Sequence, residues 1–277
     1  MSAPTSFQHA IAFIGGGNMA SAILGGLLRQ GLAPAQVQVV EPWGEARERL
    51  QREFGVQAAA QAGPELARAG IVVWAVKPQT FREAAAAAAA HTRAALHLSV
   101  AAGIRSDSIA RWLGTERIVR SMPNTPALVG LGMSALFART AVTAADRQAV
   151  EQVLAPTGQT LWVQEEKQLD AVTALSGSGP AYVFYFIEAM TRAGVEMGLP
   201  AGQAQQLAIG TFCGASELAR ASSEPPAVLR ERVTSKGGTT YAALTSMADA
   251  GVAERFVAAM HAAARRAAEL GDEFGRD

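Results

Sequence analysis

The sequence predicts two parts: an α/β domain on a parallel sheet over residues 1–163, and an all-helical domain over residues 164–277. Three observations predict this. Short apolar runs alternate strictly with helical stretches through the first half. A glycine-rich segment directly follows the first apolar run. From Lys167 onward no strand-type run occurs. Strand–helix–strand alternation implies parallel strands joined by right-handed crossovers.

Ile11-Ala-Phe-Ile14 is an apolar run ending in glycines and reads as the first strand. A helix is predicted from Asn18 to Gln30, with Gly31 suited to end it in the left-handed conformation. Val37 to Val40 is the second strand and Glu45 to Phe54 the next helix. Ile71 to Val76 is apolar throughout, as a strand covered on both faces would be. Phe81 to His91 reads as a helix, and its run of seven alanines, Ala84 to Ala90, fits a scaffold role because alanine is the best helix former. Leu96 to Ala101 and Arg117 to Ser121 are strands separated by a helix near Ser106 to Leu113. Met133 to Phe137 and Thr160 to Val163 are two more strands flanking a helix at Ala144 to Leu154. The second part reads as helices over Pro180 to Met197, Gly202 to Ala221, Ala227 to Val233, Tyr241 to Ala250 and Ala253 to Leu270. Pro180 to Met190 is apolar on nearly every face, so it must be covered on most sides. A subunit interface covers such a helix more readily than a domain of this size.

Lys plus Arg and Asp plus Glu number 24 each, the formal net charge is zero, and no basic stripe occurs. That argues against nucleic acid as a partner. The lone cysteine, Cys213, cannot form an intrachain disulfide, which fits a reducing cytoplasm. Met1 to Ala10 has no cationic stretch ahead of its apolar run, so no signal peptide is expected. No window reaches the roughly 20 apolar residues of a membrane span. A soluble cytoplasmic protein is expected, without a metal site.

Gly15-Gly16-Gly17-Asn18-Met19-Ala20 is a G-x-G-x-x-A fingerprint between a strand and a helix. Gly15 allows the tight turn, Gly17 lets the backbone approach a pyrophosphate, and Ala20 permits close helix–sheet packing. The helix N-terminus offers free N–H groups and a partial positive charge. A plain structural turn is the competing reading, but a second strand ending in Glu41 supports a dinucleotide. Ile14, Gly15, Gly16, Gly17, Asn18 and Met19 are therefore expected at a cofactor. Glu41 would accept from both ribose hydroxyls and favour NADH. Arg47 and Arg49 either supply a cation for a 2′-phosphate or form a solvated helix face. Ala75-Val76-Lys77-Pro78 and Met122-Pro123-Asn124-Thr125-Pro126 leave strand ends where ligands bind in such sheets. Two prolines give the second loop the stiffness to aim Asn124 at a ligand; a plain strand exit is the alternative.

The stretches IGGGNMA (Ile14 to Ala20), AVKP (Ala75 to Pro78), MPNTP (Met122 to Pro126), ALSGSGPAY (Ala174 to Tyr182) and VTSKGGTT (Val233 to Thr240) together resemble the pyrroline-5-carboxylate reductase family. The last two are specific, and order and spacing run through essentially the whole chain. The resemblance implies a Rossmann-type domain, a helical dimerisation domain, and hydride transfer to the C5=N bond of 1-pyrroline-5-carboxylate, the last step of proline biosynthesis. It also implies homodimers, in some members five to a ring, and NADPH more than NADH. The chain departs from the family pattern at Lys236, where proline is frequent, and at Arg232, where an amide is usual. Gln61-Ala62 replaces a cofactor-touching asparagine, and Glu41-Pro42-Trp43 follows the second strand where NADPH-using members often carry a hydroxyl or cation.

That substrate is a small ring with a carboxylate and an imine. Consecutive N–H groups of the loop at Ser235, Gly237, Gly238 and Thr239 suit the anion, and Ser235 offers a hydroxyl; an ordinary interhelix loop is the alternative. Thr240 resembles the family threonine that contacts the ring nitrogen and is the candidate catalytic residue. Ser178 opens the long apolar helix as a candidate cap, with Pro180 at the first helical position, and is expected to face the substrate in the same crevice; a flexible linker is its rival reading. Glu224 is assigned to a partner subunit's site. An imine enters already protonated near neutral pH, so positioning matters more than proton relay. His9, His91, His97 and His261 all lie outside the motifs. A β-hydroxyacid dehydrogenase would carry a lysine on the helix after the glycine-serine motif, and Pro180 to Met197 has none. A dinucleotide-binding sensor without catalysis would not need the Thr234–Thr240 loop.

Overall fold

The computed structural model describes residues 10–275. The readings made on the first nine residues, the missing cationic leader and His9 among them, lie outside that part. The first elements are β1 (Ala10–Ile14), α1 (Asn18–Arg29), β2 (Val37–Val40), α2 (Gly44–Phe54) and β3 (Ala58–Ala59). Next come β4 (Ala69–Trp74), α3 (Pro78–Thr92), β5 (Leu96–Ser99), α4 (Ser106–Leu113) and β6 (Ile118–Met122), then β7 (Gly132–Ala138), α5 (Ala144–Leu154) and β8 (Gly158–Trp162). They form one sheet in the order β3-β2-β1-β4-β5-β6-β7-β8. β1 lies parallel between β2 and β4, and the direction of winding reverses there, which opens a crevice at the carboxyl ends of these strands.

Three details depart from the sequence reading. β7 runs antiparallel to β6, so the sheet is mixed and not wholly parallel. The connection between them is a short 3-10 segment, Thr125–Val129, and a parallel return needs a longer crossover. β3 is two residues long, too short to leave a periodic signal. β4 ends at Trp74, which releases Ala75 and Val76 from the strand toward the crevice.

The pleat sends alternate residues to opposite faces. Ile11 and Phe13 join one core with Ile23, Leu27, Leu50 and Leu98. Ala12 and Ile14 join the other with Trp74, Phe81 and Ile109. The alanine tract has a defined role here: Ala85 and Ala88, one turn apart, are fully buried beside Trp74 and Phe81. Below them Trp74 Nε1 donates to His97 Nδ1 at 3.0 Å, and His97 Nε2 lies 3.1 Å from the Thr92 carbonyl. Burial, the largest cause, lowers the His97 pKa to about 4.

The remaining helices are α6 (Gln168–Val172), α7 (Gly179–Glu196), α8 (Ala201–Ala221), α9 (Pro226–Arg232), α10 (Thr239–Asp249) and α11 (Val252–Phe274). By contacts the chain divides into two units: everything up to Gly177 together with Ala263 onward, and Ser178–Ala262. The change from strands to helices falls earlier, between β8 and α6. Residues after β8 stay with the first unit through Glu166, which accepts from buried Arg120 and from the Ser106 N–H and hydroxyl, each at 2.6 Å. The end of α11 joins the same unit, with Phe274 in its second core and Asp272 2.9 Å from Arg105.

In the second unit α7 and α8 approach closely at Gly194, where an added Cβ would lie 2.9 Å from the Ala204 Cβ. Phe256 meets Tyr182 and Phe186 edge-on. The apolar α7 is nonetheless incompletely covered within one chain: Val183, Phe184, Tyr185 and Met190 are exposed. Among the described residues no helix is long and apolar enough to cross a membrane.

Candidate active site

The glycine loop is fixed by β1 and β4 together. Gly15 has φ +96°, a conformation open to glycine, and a Cβ there would stand 2.6 Å from the Ala75 carbonyl oxygen. Ala75 donates its N–H to Ile14, and Gly15 donates to Val40, both at 2.8 Å. Gly17 is the N-cap of α1 and no side chain caps that helix. Its first-turn N–H groups, those of Asn18 and Met19 among them, therefore point outward without an intrahelical partner. A Cβ on Gly17 would meet nothing within 4 Å. An uncapped helix start with open space before it fits a pyrophosphate. AVKP lies alongside, with Lys77 exposed as the N-cap of α3 and Pro78 at the first helical position.

Glu41 departs from its expected role. Its carboxylate is buried, with one oxygen accepting from Gly16 N at 2.7 Å and the other from Trp43 N at 3.0 Å. It ties the glycine loop to the β2–α2 turn instead of standing open to a ribose. Two backbone donors next to the starts of α1 and α2 offset the cost of burying the charge. The arginines do not form a simple solvated face. Arg47 Nη1 donates to the Glu41 and Pro42 carbonyls at 2.9 and 2.6 Å, and Arg49 Nη2 to the Gly16 carbonyl at 2.8 Å. The sequence placed these arginines one or two turns past the strand, but gave no sign that they would close back on the loop.

Asn124 is also corrected. Its Oδ1 accepts from Met133 N at 2.9 Å, and its Nδ2 donates to the Ser176 carbonyl at 3.1 Å. The amide braces the MPNTP loop inside the fold and is not aimed at a ligand.

In the second unit, Gly237 (φ +74°) turns the chain ahead of α10. A Cβ on Gly238 would lie 2.6 Å from Ser235 Oγ, and Gly238 N donates to the Ser235 carbonyl at 3.0 Å. Gly238 is the N-cap of α10, again without a side-chain cap. Thr239 and Thr240 are the first two helical residues, and among the described residues the hydroxyls of Ser235, Thr239 and Thr240 make no hydrogen bond. An uncapped helix start flanked by free hydroxyls suits a small anion with a polar group beside it. Ser178 precedes α7 as predicted but does not cap it: it is itself helical (φ −83°, ψ −14°) and makes no capping bond. The π-helical turn Thr173–Gly177 ahead of it explains this, since a capping side chain needs an extended backbone. Glu224 pairs within the chain, its carboxylate 2.6 Å from Arg232 Nη2.

Comparison with known proteins follows the same plan. Residues 166–270 match the model described as pyrroline-5-carboxylate reductase dimerisation, and residues 10–103 match that of NADP oxidoreductase, coenzyme F420-dependent. A pyrroline-5-carboxylate reductase of Pseudomonas aeruginosa is 43% identical over 96% of this chain and 98% of its own length.

The chain belongs to the pyrroline-5-carboxylate reductase family.

The family's plant members resemble it too, the pea reductase at 36% identity over 96% of this chain and 97% of its own. Among solved structures, the reductase of Coxiella burnetii superposes with a TM-score of 0.88 at 35% identity, covering 95% of this chain and 98% of that one. The Plasmodium falciparum reductase with NADP bound gives 0.84 at 28% identity, with coverage of 95% and 98%. In this chain the glycine loop, the AVKP segment and the Thr-Ser-x-Gly-Gly turn each have a defined backbone role.

Proposed function

We propose that this chain reduces 1-pyrroline-5-carboxylate to L-proline with a reduced nicotinamide dinucleotide. One observation carries the reading: a dinucleotide cradle at the switch point and a glycine turn opening an uncapped helix with free hydroxyls occur together in one chain of this family. When bound, the dinucleotide supplies the hydride. The protein's part is positioning. First-turn N–H groups of α1 hold the pyrophosphate, and Ala75 to Pro78 border the same crevice. The N–H groups from Ser235 to Thr239, with the Ser235 hydroxyl, hold the substrate carboxylate. The Thr240 hydroxyl bonds the ring nitrogen and fixes the face of the imine. Because the imine arrives protonated, no protein acid is required.

The protein works as a homodimer, with five dimers forming a ring. The exposed apolar side chains of α7 support an oligomer, since contiguous apolar surface marks association. A lone, exposed Cys213 suits a cytoplasmic setting. The test is oxidation of NADH and of NADPH with 1-pyrroline-5-carboxylate added or withheld. Turnover that depends on the imine is expected. No turnover with either cofactor would reject the reading.

A further inference from the structure

A single π-helical turn is rare and recurs at functional sites, because it widens the helix and frees carbonyls from their usual partners. One such turn, Thr173–Gly177, stands directly ahead of Ser178 and α7. Side chains hold the chain on both sides of it. Thr173 Oγ1 donates to the Leu169 carbonyl at 2.7 Å, and Ser176 Oγ to the Val172 carbonyl at 3.2 Å. Hydroxyl bonds of this kind bend helices.

The third tie comes from far away in sequence. Asn124 Nδ2 donates to the Ser176 carbonyl at 3.1 Å, while its Oδ1 accepts from Met133 N at 2.9 Å. The side chain is a strut from the start of β7 to the π-turn, and it needs one donor and one acceptor, which an amide supplies. Met122, from the same loop, lies against the turn as well: a Cβ on Gly177 would stand 2.5 Å from Met122 Cε. Ser178 follows next in the chain, half-buried, with its hydroxyl unbonded among the described residues.

We infer that Asn124 is a positioning residue for the reaction: through the Ser176 carbonyl it sets the π-turn and thereby places Ser178 for the substrate. It does so without touching the reacting atoms, since both of its polar atoms are engaged within the fold. This rests on the imine-reduction reading above and adds a residue to it.

The experiment is steady-state kinetics on Asn124→Asp with 1-pyrroline-5-carboxylate, beside cofactor titration and thermal melts. The variant keeps the shape and the acceptor for Met133 N, but sets a carboxylate oxygen against the Ser176 carbonyl where a donor stood. At pH about 8 its kcat should fall at least about tenfold, as small misplacements of substrate-holding groups do, while affinity for the cofactor that wild type turns over stays unchanged. As pH is lowered toward about 5, a half-buried carboxyl beside a carbonyl regains its proton and donates again. The deficit relative to wild type at the same pH should then shrink, which a mere loss of stability would not produce. If Asn124→Asp does not fold, Gly177→Ala displaces the turn by contact with Met122, and Met122→Ala/Gly177→Ala makes room again. In that case kcat should fall in the first and recover in the second. Wild-type kcat in folded Asn124→Asp, a deficit independent of pH, or cofactor affinity lost in step with kcat would overturn the inference, as would equal kcat in the two Gly177 variants. With wild type turning over the imine normally, such a result removes only the role of Asn124. If wild type shows no imine-dependent turnover, the reaction itself is misassigned and the positioning role falls with it.

Discussion

The two ligand-facing loops are built in opposite ways. Around the glycine fingerprint the side chains of Glu41, Asn124 and Arg49 have partners inside the fold, Glu41 with Gly16 and Trp43, Asn124 with Met133 and Ser176, Arg49 with Gly16, while the first-turn N–H groups of α1 stay open. Around Ser235 to Thr240 the hydroxyls are free, and nearby helices leave apolar side chains such as Tyr241, Met247 and Val257 exposed. The first loop is completed by its own unit. The second holds its backbone turn in place, but its surface awaits covering. On the proposed reading the first loop binds a cofactor rigidly and the second forms a site finished by association, and the packing of each region fits that division.

If the first unit is closed to water in this way, acid should open it. His97 is fully buried between Trp74 and the Thr92 carbonyl. Desolvation first of all, and then the Arg117 charge, lower its pKa to about 4, while the Thr92 hydrogen bond opposes them. Unfolded histidine takes up a proton near pH 6.5, and the folded form resists until about pH 4. The unfolded state therefore binds more protons in that window, so stability is full above pH 6.5 and falls as pH drops toward 4. The loss reaches about 3 kcal/mol at the bottom of the window. Denaturant midpoints of wild type and His97→Gln at pH 7 and pH 4.5 measure it. Wild type should lose more than the variant over this interval, and equal losses would contradict a sealed, neutral His97.

Two neighbouring glycines sharpen the same contrast within one loop. Gly15 is closed in, with the Ala75 carbonyl 2.6 Å from any Cβ and φ at +96°. Gly17 faces open space. Gly15→Ala should therefore lower the melting temperature. Gly17→Val should fold normally and weaken dinucleotide binding by roughly a hundredfold, because its side chain fills the pyrophosphate's place. Melting curves and nucleotide titrations on both variants decide this, and near-normal binding by Gly17→Val would misplace the phosphate site.

How much of this was legible in the sequence follows from the range of the interactions. The glycine fingerprint and the Gly-Gly turn were legible because a strand exit and a positive φ are local demands, met by glycine at fixed offsets. The inward turn of Glu41 was not, because its partner Gly16 is 25 residues away. Asn124 was misread for the same reason, with Ser176 52 residues distant. The proline-stiffened loop announced itself, but the direction of its amide depended on chain not yet placed. Ser178 failed as a cap because the residues before it were already helical, a π-turn with no sequence signature read here. The antiparallel β7 could have been found from the short connection after Met122, which leaves no room for a crossover.

The smallest expected effect tests the open region, at Thr240. A threonine at a helix start often serves only as a cap, in which case its loss would cost stability and nothing else. The geometry argues against that role. α10 begins at Thr239, its N-cap is Gly238, and no side-chain cap bond is made. Thr240 is the second residue of the helix, half-buried, and its hydroxyl is without a partner among the described residues. Replacing it by alanine removes no internal hydrogen bond and adds a better helix former, so the melting temperature should hold or rise slightly. A hydroxyl that bonds the ring nitrogen of a charged substrate contributes about 1–3 kcal/mol, which corresponds to roughly tenfold to a hundredfold in rate. Thr240→Ala should lower kcat/KM by that factor while leaving nucleotide affinity unchanged, and Thr240→Ser, which keeps the hydroxyl, should retain most of the activity. Kinetics and thermal melts on the two variants separate the alternatives. Lower stability with near-normal kcat/KM would make Thr240 a structural residue, and full activity in folded Thr240→Ala would remove it from the reaction.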